Sequence, residues 1–226
     1  MNIGLLGGSF DPVHLGHLLV AIEAGYRLGL DRVWLLPARE SPGKAPPAAA
    51  HHRLAMLEIA AQADPILEVC ALEFELPAPS YTYRTLEALQ ARHPELRFSL
   101  ILGMDALLGL PGWRDAQRVL ELAHVVGVTR PGFAASGISE RIVKPGGLYP
   151  GALRYNAYHD GLPPGPTPSS GPRELRFERG ASLITVPAFE VSSREVRRRV
   201  KASEPITHLV PRGVADYLST HQLYRS

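Results

Sequence analysis

The chain opens with a short apolar run, Asn2-Ile-Gly-Leu-Leu-Gly7, that stops on a glycine pair and gives way at once to a helical pattern. Leu18, Leu19, Ile22 and Tyr26 recur at helical spacing, and Gly29 stands where that helix would stop. A buried strand, a glycine turn and a helix in immediate succession confine the chain to folds that wind helices around a parallel sheet. The rest of the first half repeats the alternation. Val33 to Leu36 is a second strand closed by Pro37, and a Pro/Ala/Gly-rich loop over 38–50 leads to a helix near 51–63. An apolar stretch at 66–76, a helix near 83–92, the strand Phe98 to Gly103, a helix at 115–122 and the strand His124 to Thr129 follow. The expected class is α/β, a Rossmann-like doubly wound parallel sheet. Ligands of such sheets sit beyond the carboxyl ends of the strands, here the loops after Leu6, Leu36, Leu102 and Val128.

The 226 residues suffice for one domain, 1–226, with a sizeable core. Residues 131–172 break the rhythm with dense Pro and Gly, and 134–175 reads as an insertion, a surface excursion that is partly mobile. Ser182 to Val186 resumes as a strand, and helices over Ser192 to Lys201 and Val210 to Thr220 form a small C-terminal helical portion. No apolar stretch approaches the roughly twenty residues that span a bilayer. The start, MNIGLLGGSF, lacks the basic segment of a secretory signal, and the single Cys70 excludes an internal disulfide framework. A net charge of +2 gives no support for nucleic-acid binding. The expectation is a cytoplasmic protein with neither membrane nor nucleic-acid partner, its homo-oligomerisation left open.

The residues that carry chemistry begin at Gly7-Gly8-Ser9-Phe10-Asp11-Pro12-Val13-His14-Leu15-Gly16-His17. Glycines after a strand expose amide donors, and a helix beginning near His17 turns its free N–H groups and positive dipole end toward them. This anion site has neither a GxGxxG nor a GxxxxGK[ST] loop. In place of the lysine stand His14 and His17, each able to donate an imidazole N–H to a phosphate oxygen. A half metal site is the competing interpretation, but zinc needs further ligands at suitable spacing and none lie nearby. No metal site built by the protein is expected. A second basic cluster, Arg194, Arg197, Arg198, Arg199 and Lys201, follows Ser192-Ser193. Part of it is the solvated face of a helix. The rest can be a phosphate-facing helix start, capped by Ser192 or Ser193, with Arg197 converging on the anion.

With both segments in hand, the chain resembles the nucleotidylyltransferase superfamily, whose [HT]xGH signature is matched by GGSFDPVHLGH and whose ISSTxxR motif is matched by Val191-Ser-Ser-Arg-Glu-Val-Arg197. Arg194 departs from the usual threonine. Within the superfamily the resemblance is to bacterial nicotinate-nucleotide adenylyltransferase, over nearly the whole chain outside about 134–175. Ser41-Pro-Gly-Lys44 stands for its PPHK-like loop, with Gly43 replacing the histidine, and His52-Arg53 for its HR helix. Pro79-Ser-Tyr-Thr-Tyr83, Gly103-Met-Asp105, Leu110-Pro-Gly-Trp113 and Thr129-Arg-Pro-Gly132 match its PSYT, GxD, LPxW and RPG segments, and His208 to Tyr217 its closing helix.

The resemblance implies a nucleotidylyltransferase-type sheet and transfer of AMP from ATP to nicotinic acid mononucleotide, with Mg²⁺ accompanying ATP. It assigns His14, His17 and Arg197 to catalysis. ATP would be held by Gly7, Gly8, Ser9, Phe10, His14, Gly16, His17, Gly103, Asp105, Ser192, Ser193 and Arg197. The mononucleotide would meet Lys44, Thr82, Trp113 and Arg130, with Trp113 stacked on the pyridine ring. Three alternatives stay open: a preference for nicotinamide mononucleotide, a pantetheine-phosphate adenylyltransferase, and a module that binds ATP without turnover.

Overall fold

The computed structural model describes residues 1–43, 47–129, 180–187 and 189–225, together with the backbone of two short strands at 152–154 and 174–176. The chain divides into two compact units, one of Met1–Tyr81 with Pro187–Ser226, the other of Thr82–Val186.

In the first unit, β1 (Asn2–Gly8), β2 (Arg32–Pro37) and β3 (Leu67–Val69) pair in parallel. Ile3 lies opposite Arg32 and Gly8 opposite Pro37, so both strands end at the same level. The buried run Ile3 to Leu6 shows no polar alternation, as expected of a strand covered on both faces. Helix α1 (Leu15–Leu28) links β1 to β2, and α2 (Ala50–Ala61) links β2 to β3. Gly29 ends α1 in the left-handed conformation, φ 59°, donating its N–H to the carbonyls of Gly25 and Tyr26. The C-terminal helices α6 (Ser193–Lys201) and α7 (Arg212–Thr220) complete the unit. Ile3, Leu5, Val33, Leu35, Met56 and Leu57 are fully enclosed.

The second unit repeats the scheme with β4 (Arg97–Gly103), β5 (His124–Thr129) and β8 (Ala181–Thr185), parallel and in that order. Its helices are α3 (Thr82–Arg92), α4 (Met104–Gly109) and α5 (Ala116–Leu122). Leu110–Gly112 forms a single 3₁₀ turn. β6 (Ala152–Arg154) and β7 (Glu174–Arg176) pair antiparallel, with Leu153 opposite Leu175. Sequence reading predicts no strand there. The remainder of the 134–175 insertion lies outside the described residues.

Parallel strands and crossover helices in both units make the chain α/β, as expected. Three boundaries differ from the sequence reading. Helix α1 starts at Leu15 rather than near His17, because the His14 side chain supplies its cap. The apolar stretch 66–76 is only briefly a strand, after which Leu72–Phe74 turns as a 3₁₀ helix. Pro211 caps α7, leaving Val210 just outside as a buried residue.

The starts of α1 and α6 meet closely. A Cβ on Gly16 would lie 2.8 Å from Val191 Cγ1 and 3.2 Å from His14 Nδ1. Val191 is β-branched and precedes the α6 cap, so it cannot swing aside cheaply. Gly16→Ala is therefore expected to lower unfolding free energy by about 1–3 kcal/mol. Urea denaturation measures this, and an unchanged midpoint would show that the contact relaxes without cost.

Candidate functional site

The loop leaving β1 turns at Phe10, a non-glycine residue at φ 47°. Its ring is buried and occupies the space above Gly8, where a Cβ would come within 3.3 Å of it. A bulky residue in the left-handed region costs of order 1–3 kcal/mol. Burying the ring offsets this, and the turn delivers His14 to the start of α1.

His14 is the N-cap of α1, with extended backbone at φ −142°, ψ 167°. Its Nδ1 accepts the His17 backbone N–H at 3.3 Å, while His17 Nδ1 accepts the His14 backbone N–H at 3.2 Å. This is a capping box built from two imidazoles rather than Ser and Glu. The rings stack, their centroids 3.6 Å apart and their planes 17° apart, and the Phe10 ring meets His17 edge-on at 5.0 Å. The consequence is chemical. A nitrogen that accepts carries no proton, so each neutral ring holds its proton on Nε2, the tautomer that donates to a phosphate oxygen. Burial, and then the neighbouring His14, push His17 well below the ordinary histidine value. The pair is a set of neutral donors at a helix N-terminus.

Helix α6 approaches the same loop. Ser192 is its N-cap, accepting the Glu195 N–H at 3.2 Å. Ser193 donates its hydroxyl to the Pro12 carbonyl at 2.8 Å. Arg197 donates through Nη1 to the Asp11 carbonyl, with the Asp11 carboxylate Oδ2 at 3.8 Å. The serine and the guanidinium thus fasten α6 to the residues just before His14. The other arginines divide as their spacing suggests. Arg198 pairs with Glu195 and Glu204, and Arg199 with Glu195. These bonds hold the half-buried Glu195 carboxyl down at about 2. Arg194 is exposed.

Three residues that sequence reading leaves out of the site hold this arrangement. Arg53, wholly buried on α2, donates Nη1 to the carbonyls of Ser9 and Ala38, both at 2.7 Å, and Nη2 to that of Arg39 at 3.0 Å. It binds the loops after β1 and β2 together. Burial draws its guanidinium below the ordinary arginine value, with the Asp11 charge acting the other way. Asp11 is also buried. Its Oδ1 accepts from the Ala48 N–H at 3.3 Å and from the Tyr224 hydroxyl, while Oδ2 has no hydrogen-bond partner among the described residues. Burial and the Asp11 carboxylate push the Tyr224 hydroxyl well above the usual tyrosine value. Ser9 joins the two loops again, its hydroxyl 2.9 Å from that of Ser41. The sequence signal for Arg53 is the match of His52-Arg53 to the family's HR helix, which names no role for it.

The remaining candidate residues lie in the second unit or outside the described residues. Gly103 precedes α4 in extended conformation with no side-chain cap on the helix, and Asp105 is exposed in its first turn. Trp113 follows the 3₁₀ turn, half-buried, its N–H donating to the Leu110 carbonyl at 3.0 Å. Thr82 opens α3 and is half-buried. Lys44 and Arg130 lie outside the described residues. Among the described residues no group of three His, Cys, Asp or Glu side chains is placed to hold a metal ion, and no helix is long and apolar enough to cross a membrane.

Residues 5–199 match the cytidylyltransferase-like family. A probable nicotinate-nucleotide adenylyltransferase of Roseiflexus sp. (strain RS-1) is 39% identical over 99% of this chain and 98% of its own length. One of Bacillus pumilus is 34% identical over 100% and 99% respectively. The chain belongs to the nicotinate-nucleotide adenylyltransferase family. The nucleotidylyltransferase-type fold is shared with the Plasmodium falciparum nicotinic acid mononucleotide adenylyltransferase complexed with NaAD, at TM-score 0.71 and 20% identity, covering 99% of this chain and 97% of that one. What the geometry adds to the adenylyltransferase signature is the reciprocal imidazole cap and the buried residues beneath it.

Two outcomes follow for this adenylyltransferase site. Glutamine at the third helical position also completes a capping box. His17→Gln should therefore keep most of the stability that His17→Ala loses, about 1 kcal/mol. Both variants should lose about tenfold or more in kcat, because the imidazole donor is gone. The unfolded chain binds a proton at residue 17 that the folded chain resists, so stability falls as pH drops below about 6.5. Melting curves between about pH 7 and pH 5 should accordingly slope less in His17→Gln than in the parent. A parallel slope would contradict the neutral-pair assignment. Arg53→Met strands three carbonyls and should cost about 2–4 kcal/mol in urea unfolding, only partly restored by lysine, which lacks the planar fork.

Proposed function

We propose that this protein transfers AMP from ATP to nicotinic acid mononucleotide, giving nicotinic acid adenine dinucleotide and pyrophosphate. The observation that carries the proposal is the pair of imidazoles at the start of α1 whose Nδ1 atoms both accept backbone N–H groups, beside an arginine that α6 fastens to the same loop. Relatives that match over their whole length are named for this activity.

The 5′-phosphate oxygen of the mononucleotide attacks the α-phosphorus of ATP. The bond from that phosphorus to the bridging oxygen breaks, and its electron pair leaves with pyrophosphate. The nucleophile is already ionised near neutral pH, so no side chain need remove a proton. His14 and His17 donate Nε2–H to phosphate oxygens whose charge grows in the transition state, and Arg197 supplies a permanent positive charge. Gly7, Gly8, Ser9, Phe10 and Gly16 shape the loop, Ser192 and Ser193 set the second helix, and Gly103 and Asp105 meet the nucleoside. A divalent cation, Mg²⁺, neutralises triphosphate charge when bound.

We assign the pyridine ring to Trp113 and its carboxylate to Thr82 and backbone N–H groups near Trp113, with Lys44 and Arg130 meeting the mononucleotide phosphate. Backbone donors favour a carboxylate over a carboxamide, which presents an N–H₂ of its own. We place the reaction in the cytoplasm, with no membrane or nucleic-acid partner. Pyrophosphate release with ATP and each mononucleotide tests the assignment. The acid should exceed the amide in kcat/KM by about tenfold or more, the value of one charge-assisted bond. Turnover with the amide alone, or with neither, overturns it.

A further inference from the structure

The Asp11 carboxylate raises a question that the reaction leaves unanswered. It is a buried anion beside the cation assigned to the triphosphate, and that should weaken anion binding. Its geometry shows how the conflict is contained. Oδ1 is held from two sides, by the Ala48 N–H and by the Tyr224 hydroxyl. With Oδ1 fixed, Oδ2 stops 3.8 Å from Arg197 Nη1, beyond hydrogen-bond range. Arg197 instead donates to the neutral Asp11 carbonyl, and its other N–H groups meet no acceptor among the described residues. A carboxylate free to turn about its terminal torsion would close that gap and take the guanidinium in a two-bond pair.

Tyr224 reaches Asp11 from the far end of the chain by an unusual path. After α7, Gln222 and Tyr224 both adopt left-handed backbone, φ 51° and 61°. Neither is glycine, and each such residue costs of order 1–3 kcal/mol unless the surroundings impose it. The Leu223 N–H returns to the Leu218 carbonyl, closing the turn that carries the tyrosine inward. A strained turn that places a tyrosine on a buried carboxylate points to a role beyond finishing α7.

We infer that Tyr224 is a positioning residue for nucleotide binding: by anchoring Asp11 Oδ1 it keeps the Asp11 carboxylate off Arg197, so that the guanidinium is available to the ATP phosphates. The inference rests on ATP occupying this crevice. It assigns Tyr224 no contact with substrate.

The test uses the full-length chain and an ATP analogue with a methylene bridge between its α- and β-phosphorus atoms, titrated calorimetrically. Tyr224→Phe, which removes one oxygen atom, should weaken analogue binding by about tenfold, the worth of one charge-assisted hydrogen bond. The KM for ATP should rise in parallel, with the KM for the mononucleotide within about twofold of the parent. Tyr217→Phe is the control. Its hydroxyl lies 3.0 Å from His52 Nδ1, away from Asp11, so analogue binding should not change. The decisive comparison is a double-mutant cycle. In an Asp11→Asn background no carboxylate remains to capture Arg197, and Tyr224→Phe should change binding by less than about twofold. A merely structural tyrosine would show the same loss in both backgrounds, which overturns the inference. So would parental binding by Tyr224→Phe, an equal loss in Tyr217→Phe, or a Tyr224→Phe chain that does not fold. Failure of the parent chain to bind the analogue would instead remove the nucleotide assignment on which the inference rests.

Discussion

The reciprocal bonding of His14 and His17 is the constraint from which the other features of the crevice take their form. Two helix-end N–H groups need acceptors, and here each is satisfied by the ring of the other residue. That choice fixes both tautomers and brings the rings to 3.6 Å, a separation that two imidazolium ions would oppose strongly in a buried setting. With both Nδ1 atoms accepting, each ring is left with Nε2 as its donor. The proposed reaction therefore draws its hydrogen-bond donors from one helix and its permanent charge from another. This division suits a reaction whose nucleophile arrives ionised, because oriented donors are needed and a titrating base is not.

Such donors help only if the loop that carries them does not move, and the structure shows what holds it. Loop carbonyls at Ser9, Ala38 and Arg39 all take a hydrogen bond from Arg53. A planar guanidinium can serve several carbonyls at fixed angles, which explains an arginine with no exposed surface in a helix core. Asp11 and Tyr224 complete the support from the other side. The loop is thus held by α2, by α6 and by the residues after α7, elements far apart in the chain.

Those separations decide what the sequence could reveal. Strand and helix periods, the glycine pair and the alternation of elements were legible because each is local. The grouping of His14, His17, Ser193 and Arg197 around one loop agrees with the two motifs, whose residue kinds suit a phosphate. The supporting contacts were not legible. Tyr224 meets Asp11 across 213 positions, and nothing near either residue signals the other. The cap is hidden for a different reason: histidine is not a usual N-cap, so spacing alone starts α1 near His17 rather than at Leu15. Asp11 was concealed by its surroundings, because every residue of a signature loop looks like a ligand contact when some serve the loop itself. In the insertion, Pro and Gly density masked the short β6–β7 pair.

The two departures from the family pattern become intelligible on the same terms. Arg194 stands where the superfamily motif has threonine, yet the hydrogen bonds that fasten α6 come from Ser193 and Arg197, with Ser192 capping the helix. Position 194 points its residue toward solvent, so a long cation there disturbs none of them. Gly43 replaces a histidine in the loop after β2, and its backbone lies at φ 72°, a conformation that side chains rarely adopt. Glycine there allows the chain to turn sharply just after Ser41, whose hydroxyl meets Ser9. Both changes fall on positions outside the bonds that fix the imidazoles, the guanidinium and the loop between them, which is why the arrangement survives them.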